Sequence, residues 1–181
     1  NLKRIDRSIL QLASATLKSI ELLYERFEFY KAYKNIYDFC NEDLSMGYLD
    51  MIKGRLYTYA ADSTERRAAQ TVIYKILDIL MRTMAPIFAF TAEEIWQCMP
   101  REKSYNSVSS VHLIDWPKQL DYDKDACNFY DFIKALIPDV NKVLEERRSQ
   151  GLIGSPFDAK IKLLTNNEER YTFLTSLKSD L

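Results

Sequence analysis

The sequence predicts an all-α protein, an antiparallel helical bundle that carries a small, truncated α+β tail. Three observations predict it. The 181 residues contain only four glycines and five prolines, too few turn formers for a many-stranded sandwich or barrel. Apolar residues recur at intervals of three and four over long stretches, the period of an amphipathic helix. Short links separate those stretches, so successive helices pack antiparallel. A chain of this length suits one domain with a small appendage, and we expect a bundle over 1–150 and a strand-and-helix appendage over 151–181.

The first helix is expected from about Lys3 to Tyr24, with Ile5, Ile9, Leu12, Thr16, Ile20, Leu23 and Phe27 on its apolar side. A second begins after Glu28, with Phe29, Ala32, Tyr33, Ile36, Cys40, Leu44, Gly47 and Met51 on one side. Gly47 within it costs about 1 kcal/mol against alanine unless close packing requires it. A polar loop from Tyr57 to Ser63 follows, and Asp62 with Glu65 marks the next helix start. Ala69, Val72, Ile73, Ile76, Leu77, Leu80 and Met84 then give the most apolar helix, expected at the centre.

Pro86 has no amide hydrogen and restricts Ala85, so regular structure stops there. The spacing of Thr91 and Glu94 predicts a capping box for a short helix, with Phe90 packed on its first turn and Ile95, Trp96 and Met99 buried before Pro100. From Arg101 to Tyr122 the periodicity vanishes, and an extended run at Val111–Ile114 is expected to pin this loop to the bundle. A further helix runs from about Lys124 to Gln150, with Pro138 inside it as a kink or a break and Gly151 as its C-cap. Ala159, Ile161 and Leu163 alternate with lysines, the pattern of a half-buried strand. A last short helix is expected over 167–178.

Charges nearly cancel, 25 basic against 26 acidic, so the whole-chain basic footprint of a nucleic-acid binder is missing and any such contact must come from a local patch. Cys40, Cys98 and Cys127 are odd in number, far apart and without metal-ligand spacing, which fits buried thiols in a reducing compartment. No apolar run nears the roughly 20 residues that cross a bilayer and no signal peptide is visible, so a cytoplasmic location is expected. The chain opens at Asn1, which suggests a segment of a longer polypeptide.

No constellation of side chains points to catalysis. His112 is the only histidine and has no second ligand or relay partner in sequence, so a structural or solvent role is expected. The glycines of GLIGSP lack a phosphate-loop lysine and read as a turn into a strand. Glu93–Glu94 and Glu145–Glu146 are adjacent on helices and do not face each other.

The local case for RNA lies between Lys53 and Lys75. Lys53, Arg55, Arg66, Arg67 and Lys75 stand against Asp62 and Glu65, five positive and two negative, with Tyr57 and Tyr59 among them. Cations hold phosphates by charge and counterion release, and aromatic faces stack unpaired bases. The bland alternative is a solvated helix end. Lys3, Arg4 and Arg7, and Lys142, Arg147 and Arg148, form two smaller clusters that read as polar helix sides.

Four blocks carry a resemblance: FCNEDLSMGYLDMIKGRLY at 39–57, MAPIFAFTAEEIWQCMP at 84–100, SVHLIDWP at 110–117 and ERRSQGLIGSPFDAKI at 146–161. Together they resemble the anticodon-binding region of isoleucyl-tRNA synthetases, in the class I group acting on isoleucine, valine and leucine. The first two blocks indicate the group, and the last two point to isoleucine, with valyl enzymes the nearest confusable relatives.

The resemblance implies a bundle that grips the anticodon stem-loop of isoleucine tRNA while a catalytic domain of the same parent chain attaches isoleucine using ATP. The His-Ile-Gly-His and Lys-Met-Ser-Lys-Ser signatures of class I catalysis occur nowhere here, so this chain itself is expected to bind, without catalytic, cofactor or metal residues. ATP with magnesium and, in bacterial forms, a C-terminal zinc belong to the parent. The expected tRNA-binding residues are Lys53, Arg55, Tyr57, Arg66 and Arg67, in a monomer with no membrane partner. The rival from another class is a helical protein-interaction module whose basic residues are merely solvated.

Overall fold

In the computed structural model, residues 2–100, 105, 107–121, 123–155 and 158–176 are described. The first long helix, α1 (Arg4–Glu25), has an apolar face that is widened by small and polar residues. Asp6, Ser8, Ile9, Leu10, Ala13, Ser14, Leu17 and Ile20 are buried. Ser8 and Ser14 are covered because residues 120, 121 and 123–126 run along that side: the Ser8 hydroxyl donates to the Ala126 carbonyl at 2.7 Å, and the Leu120 amide donates to Ser14 Oγ at 2.9 Å.

α1 ends in a Schellman turn, with the Glu28 amide on the Leu23 carbonyl (2.9 Å) and the Phe27 amide on the Tyr24 carbonyl (3.0 Å). Phe27 fills the left-handed position usually given to glycine, at φ 57°, and is exposed where the periodicity expected it on the apolar side.

The chain then reverses into α2 (Phe29–Asp38) and, without interruption, an eleven-residue π-helix (Phe39–Leu49), followed by the short α3 (Lys53–Tyr57). This winding keeps Ala32, Ile36, Cys40 and Leu44 of the expected face on the core but moves its far end from Gly47 and Met51 to Tyr48 and Ile52. Ile36, Phe39, Tyr48 and Ile52 are buried, whereas Met51 is 45% exposed. The cause is visible in the spacing: Ile36, Cys40, Leu44, Tyr48 and Ile52 step by four each time, and all belong to one core cluster or pack against it. In an α-helix of 3.6 residues per turn, four such steps drift by about 160°, to the opposite side. The wider i→i+5 winding absorbs that drift. Gly47 belongs to the same device, since a Cβ there would lie 3.3 Å from the Glu42 carbonyl oxygen one π-turn back.

α4 (Thr64–Met84) returns through the middle and buries Ala68, Ala69, Val72, Ile76, Ile79, Leu80 and Met81. Its N-cap is Ser63, whose Oγ accepts from the Arg66 amide at 3.3 Å; the helix start expected at Asp62 lies one residue later. Neighbours in sequence are antiparallel, as expected: Asn35 donates to Ser19 across α1 and α2 (2.8 Å), while Tyr24 at the end of α1 reaches Thr83 at the end of α4 (2.8 Å).

After Pro86 the chain forms α5 (Ala89–Cys98), one turn earlier than the capping-box reading. Its N-cap residue, Phe88, makes no side-chain cap, Thr91 lies inside the helix and Phe90 is 93% exposed. Glu93, not Glu94, is the working carboxylate. It accepts from Gln97 Nε2 (2.6 Å), the Ser110 hydroxyl (2.7 Å) and the Val111 amide (3.0 Å). That anchor pulls the following loop onto α5, where Met81, Ala85, Ala92, Trp96, Met99 and Val111 form a second core cluster. Val111–Leu113 is a 3-10 turn rather than the expected extended run, because Val111 must turn inward while Ser110 stays on Glu93.

The described residues divide into two compact units, 1–126 and 127–181. α6 (Lys124–Ser149) starts at the edge of the first and otherwise belongs to the second; it is one helix, undivided at Pro138. It ends in a Schellman turn with Gly151 at φ 70°, the Gly151 amide on Arg148 (2.9 Å) and the Leu152 amide on Arg147 (3.0 Å). In the second unit, α7 (Glu168–Ser176) sets Phe173 against Phe132, ring centroids 4.9 Å apart.

The strand expected from Ala159 to Leu163 does not form among the described residues. No partner strand offers it a ladder, and Ala159, Ile161 and Leu163 instead lie along Leu136, Val140, Val143 and Leu144 of α6, enclosing a cavity of about 320 Å³.

Candidate nucleic-acid interface

Of the five residues expected to touch RNA, Lys53, Arg55 and Tyr57 sit on α3 and Arg66 and Arg67 on the first turn of α4, on either side of the 58–63 turn. α3 is too short to persist alone, and the turn is held by its own polar groups. The Thr58 hydroxyl donates to the Gly54 carbonyl at 2.6 Å, and the Ser63 amide to Ala60 at 3.1 Å. Arg66 Nη1 donates to the Tyr59 carbonyl at 3.0 Å. Tyr57 projects from this turn with 79% of its surface exposed and Tyr59 with 43%.

Arg67 is exposed and makes no ion pair among the described residues. Lys53 is exposed too, and Asp50 Oδ1 at 2.6 Å holds its ammonium above the usual lysine range by a hydrogen bond and by charge. Arg66 is half-buried, and its Nη1 ties the turn.

Arg55 is a correction. It is buried, not displayed. Nη1 and Nη2 each donate to one oxygen of Asp6 at 2.8 Å, and Nη2 also donates to the Glu65 carbonyl at 2.9 Å. Burial opposes its charge, but the hydrogen bonds and charge of Asp6 outweigh burial and raise its pKa. Asp6 further accepts from the Tyr48 hydroxyl (2.8 Å) and the Lys3 amide (3.1 Å), so every direction around the carboxylate is used. Burial first and Asp6 second keep the Tyr48 phenol well above its ordinary range. Nothing in the spacing of Asp6, Tyr48 and Arg55 announced this network; an aspartate at a position of α1 that the apolar repeat surrounds was the one available signal.

The other basic clusters are neutralised or tied locally. Arg7 lies 2.7 Å from Asp123 and 3.1 Å from Asp125, and Arg4 lies 3.4 Å from Asp125. Arg148 pairs with Glu145 at 3.4 Å and Arg147 donates to Gln150 at 3.3 Å. His112 is exposed, and among the described residues no group of three His, Cys, Asp or Glu side chains is placed to hold a metal. Among them, no helix is long and apolar enough to cross a membrane.

A second exposed feature was missed in the sequence, where Tyr33 read as core and Phe90 as packed on a helix turn. Tyr30, Tyr33 and Tyr37 form a ladder on α2, with centroids 6.5 and 6.2 Å apart, and Phe88 lies 5.9 Å from Tyr33. Tyr30 is 75% and Phe90 93% exposed. Lys31 pairs with Glu28 and Lys34 with Asp38, so this face is aromatic and close to neutral. It lies where α4 ends, whereas the cationic turn lies where α4 begins. The 21 residues of α4 set them about 30 Å apart.

Comparison with known proteins adds independent information. Residues 6–163 match the family model described as the anticodon-binding domain of tRNA ligase. Among curated relatives, an isoleucine–tRNA ligase of Caldanaerobacter subterraneus subsp. tengcongensis is 38% identical over 169 residues, 92% of this chain and 18% of the relative. That of Persephonella marina is 40% identical over 172 residues, 94% of this chain and 18% of the relative. That of Teredinibacter turnerae is 36% identical over 177 residues, 98% of this chain and 19% of the relative. The chain thus spans less than a fifth of the length of each of these curated relatives.

Proposed function

The chain belongs to the anticodon-binding domain family of tRNA ligases, and from that premise we propose that it holds the anticodon stem-loop of isoleucine tRNA for an isoleucine–tRNA ligase. The observation that carries the amino acid is the similarity, 36–40% identical, to the relatives bearing that name.

In this reading the cationic turn does the holding. Arg67, Arg66 and Lys53 neutralise phosphates, and Tyr57 and Tyr59 offer faces to unpaired bases. Arg55 acts from beneath. The acceptor end of the tRNA then reaches a catalytic domain elsewhere in the longer polypeptide, which would use ATP with magnesium, while in bacterial forms a zinc would sit in a separate C-terminal part of the parent. A cytoplasmic monomer fits this role. The neutral aromatic face is the one observation that favours protein docking as a second use of the domain.

The test is a titration of transcribed isoleucine tRNA at several salt concentrations, with valine tRNA as competitor. Binding that weakens with salt, prefers isoleucine tRNA and loses roughly two units of log–log salt slope in Arg66→Ala/Arg67→Ala supports the reading. An equal preference for valine tRNA overturns the amino acid. An unchanged slope removes both arginines.

A further inference from the structure

We infer that Asp6 is a positioning residue for the RNA-binding turn, acting through Arg55, which it orients to bind α3 to the first turn of α4. The inference rests on the reading of the cationic turn as an RNA contact and adds how that contact is held in shape.

The geometry supports a relay of three groups. Asp6 is wholly buried in α1 and grips the planar guanidinium of Arg55 with two parallel bonds of 2.8 Å, an arrangement that fixes orientation as well as distance. The same guanidinium reaches the Glu65 carbonyl. Arg55 is anchored by its own backbone in α3, so one side chain spans the two ends of the 58–63 turn. Tyr57 leaves the turn at one end; Arg66 and Arg67 leave it at the other. Their separation is therefore set by a carboxylate that RNA cannot touch.

Tyr48 and the Lys3 amide complete the carboxylate's partners. Asp6 is thus locked before it locks Arg55. Supporting shells of this kind hold a site's groups in register without meeting the ligand.

The experiment uses Asp6→Asn/Arg55→Gln, which removes both charges together and leaves no buried charge without its counterpart, the condition that makes single removals so disruptive. Arg55→Lys and wild type run beside it. Melting temperature, isoleucine tRNA affinity over a salt series, and amide exchange over 58–66 are measured.

The expected result is a folded double variant whose affinity falls roughly tenfold, the lower end of what displaced supporting groups cost, with an unchanged salt slope and faster exchange in the turn. Arg55→Lys, which keeps the charge but not the fork, is expected to show the same loss. A salt slope reduced by about 0.9 would mean that Arg55 itself meets a phosphate, and would overturn the inference. Wild-type affinity in a folded double variant would also overturn it and leave the RNA reading standing. Absence of tRNA binding by the wild type would remove the RNA reading and this inference with it.

Discussion

The Tyr24 hydroxyl donates to the Thr83 carbonyl at 2.8 Å, joining the C-terminal end of α1 to that of α4. The bond exists because α4 runs out before Pro86: the Ile87 amide turns back to Met84 at 2.9 Å, so the Thr83 carbonyl has lost its helical donor. Thr83 is fully buried, and water does not replace the donor. A tyrosine one helix away does.

Removing that hydroxyl strands a buried acceptor. Tyr24→Phe is expected to lower stability by about 1–2 kcal/mol, measured by denaturant unfolding. Burial pushes the Tyr24 phenol up to about 12. Because the folded value lies above the unfolded one, its contribution is complete below pH 10 and is lost as the pH rises towards 12. The stability gap between wild type and Tyr24→Phe therefore closes over that window, and a gap unchanged at pH 12 would contradict the assignment.

Phe27→Gly is expected to stabilise the protein. Phe27 pairs a positive φ with 79% exposure, so its ring gains little by burial while its backbone bears the left-handed penalty. A gain of about 0.5–1 kcal/mol follows from relieving it, after loss of the edge contact with Phe29 at 6.0 Å. A rise in melting temperature checks it.

Glu93 makes the loop after α5 sensitive to acid. Hydrogen bonds from Gln97, then from Ser110, and one from the Val111 amide hold its carboxyl below the usual range. A depressed folded value stabilises above the unfolded pKa, about 4.3, and that stabilisation disappears as the pH falls through the folded value. Glu93→Gln is expected to lower stability at neutral pH, with the difference from wild type shrinking below about pH 4. Amide exchange at Val111 reports the same event locally.

The thiols are expected to react in order of access. Cys98 is exposed, whereas Cys40 is half-buried and its thiol is held above its ordinary range by that burial. Alkylation followed by mass spectrometry is expected to label Cys98 well before Cys40; the reverse order would mean that the Phe39–Leu49 segment opens.

The helices were legible because long apolar repeats overdetermine them: α1, α4 and α6 end within a few residues of where spacing and capping signals put them. What escaped was decided by partners distant in sequence. Glu93 rather than Glu94 anchors α5 because Ser110 and Val111 come to it, and a local capping pattern carries no trace of that. Ala159–Leu163 alternates like a strand, but alternation states only which side is apolar; α6 took the place of a sheet. Of the five candidate contacts, Tyr57 and Arg67 are displayed, Lys53 is displayed but partnered, Arg66 is half-buried and partnered, and Arg55 is buried. A basic residue counts equally in a charge sum whether its counterpart is solvent or an aspartate 49 positions away.

The wide winding of Phe39–Leu49 makes the chain's length at this point a matter of angle. Losing one residue between Cys40 and Gly47 would tighten the coil and swing everything beyond it around the axis, carrying Tyr48 off Asp6 and Arg55 out of its slot. The RNA-facing turn would then be aimed in a new direction with none of its own residues changed.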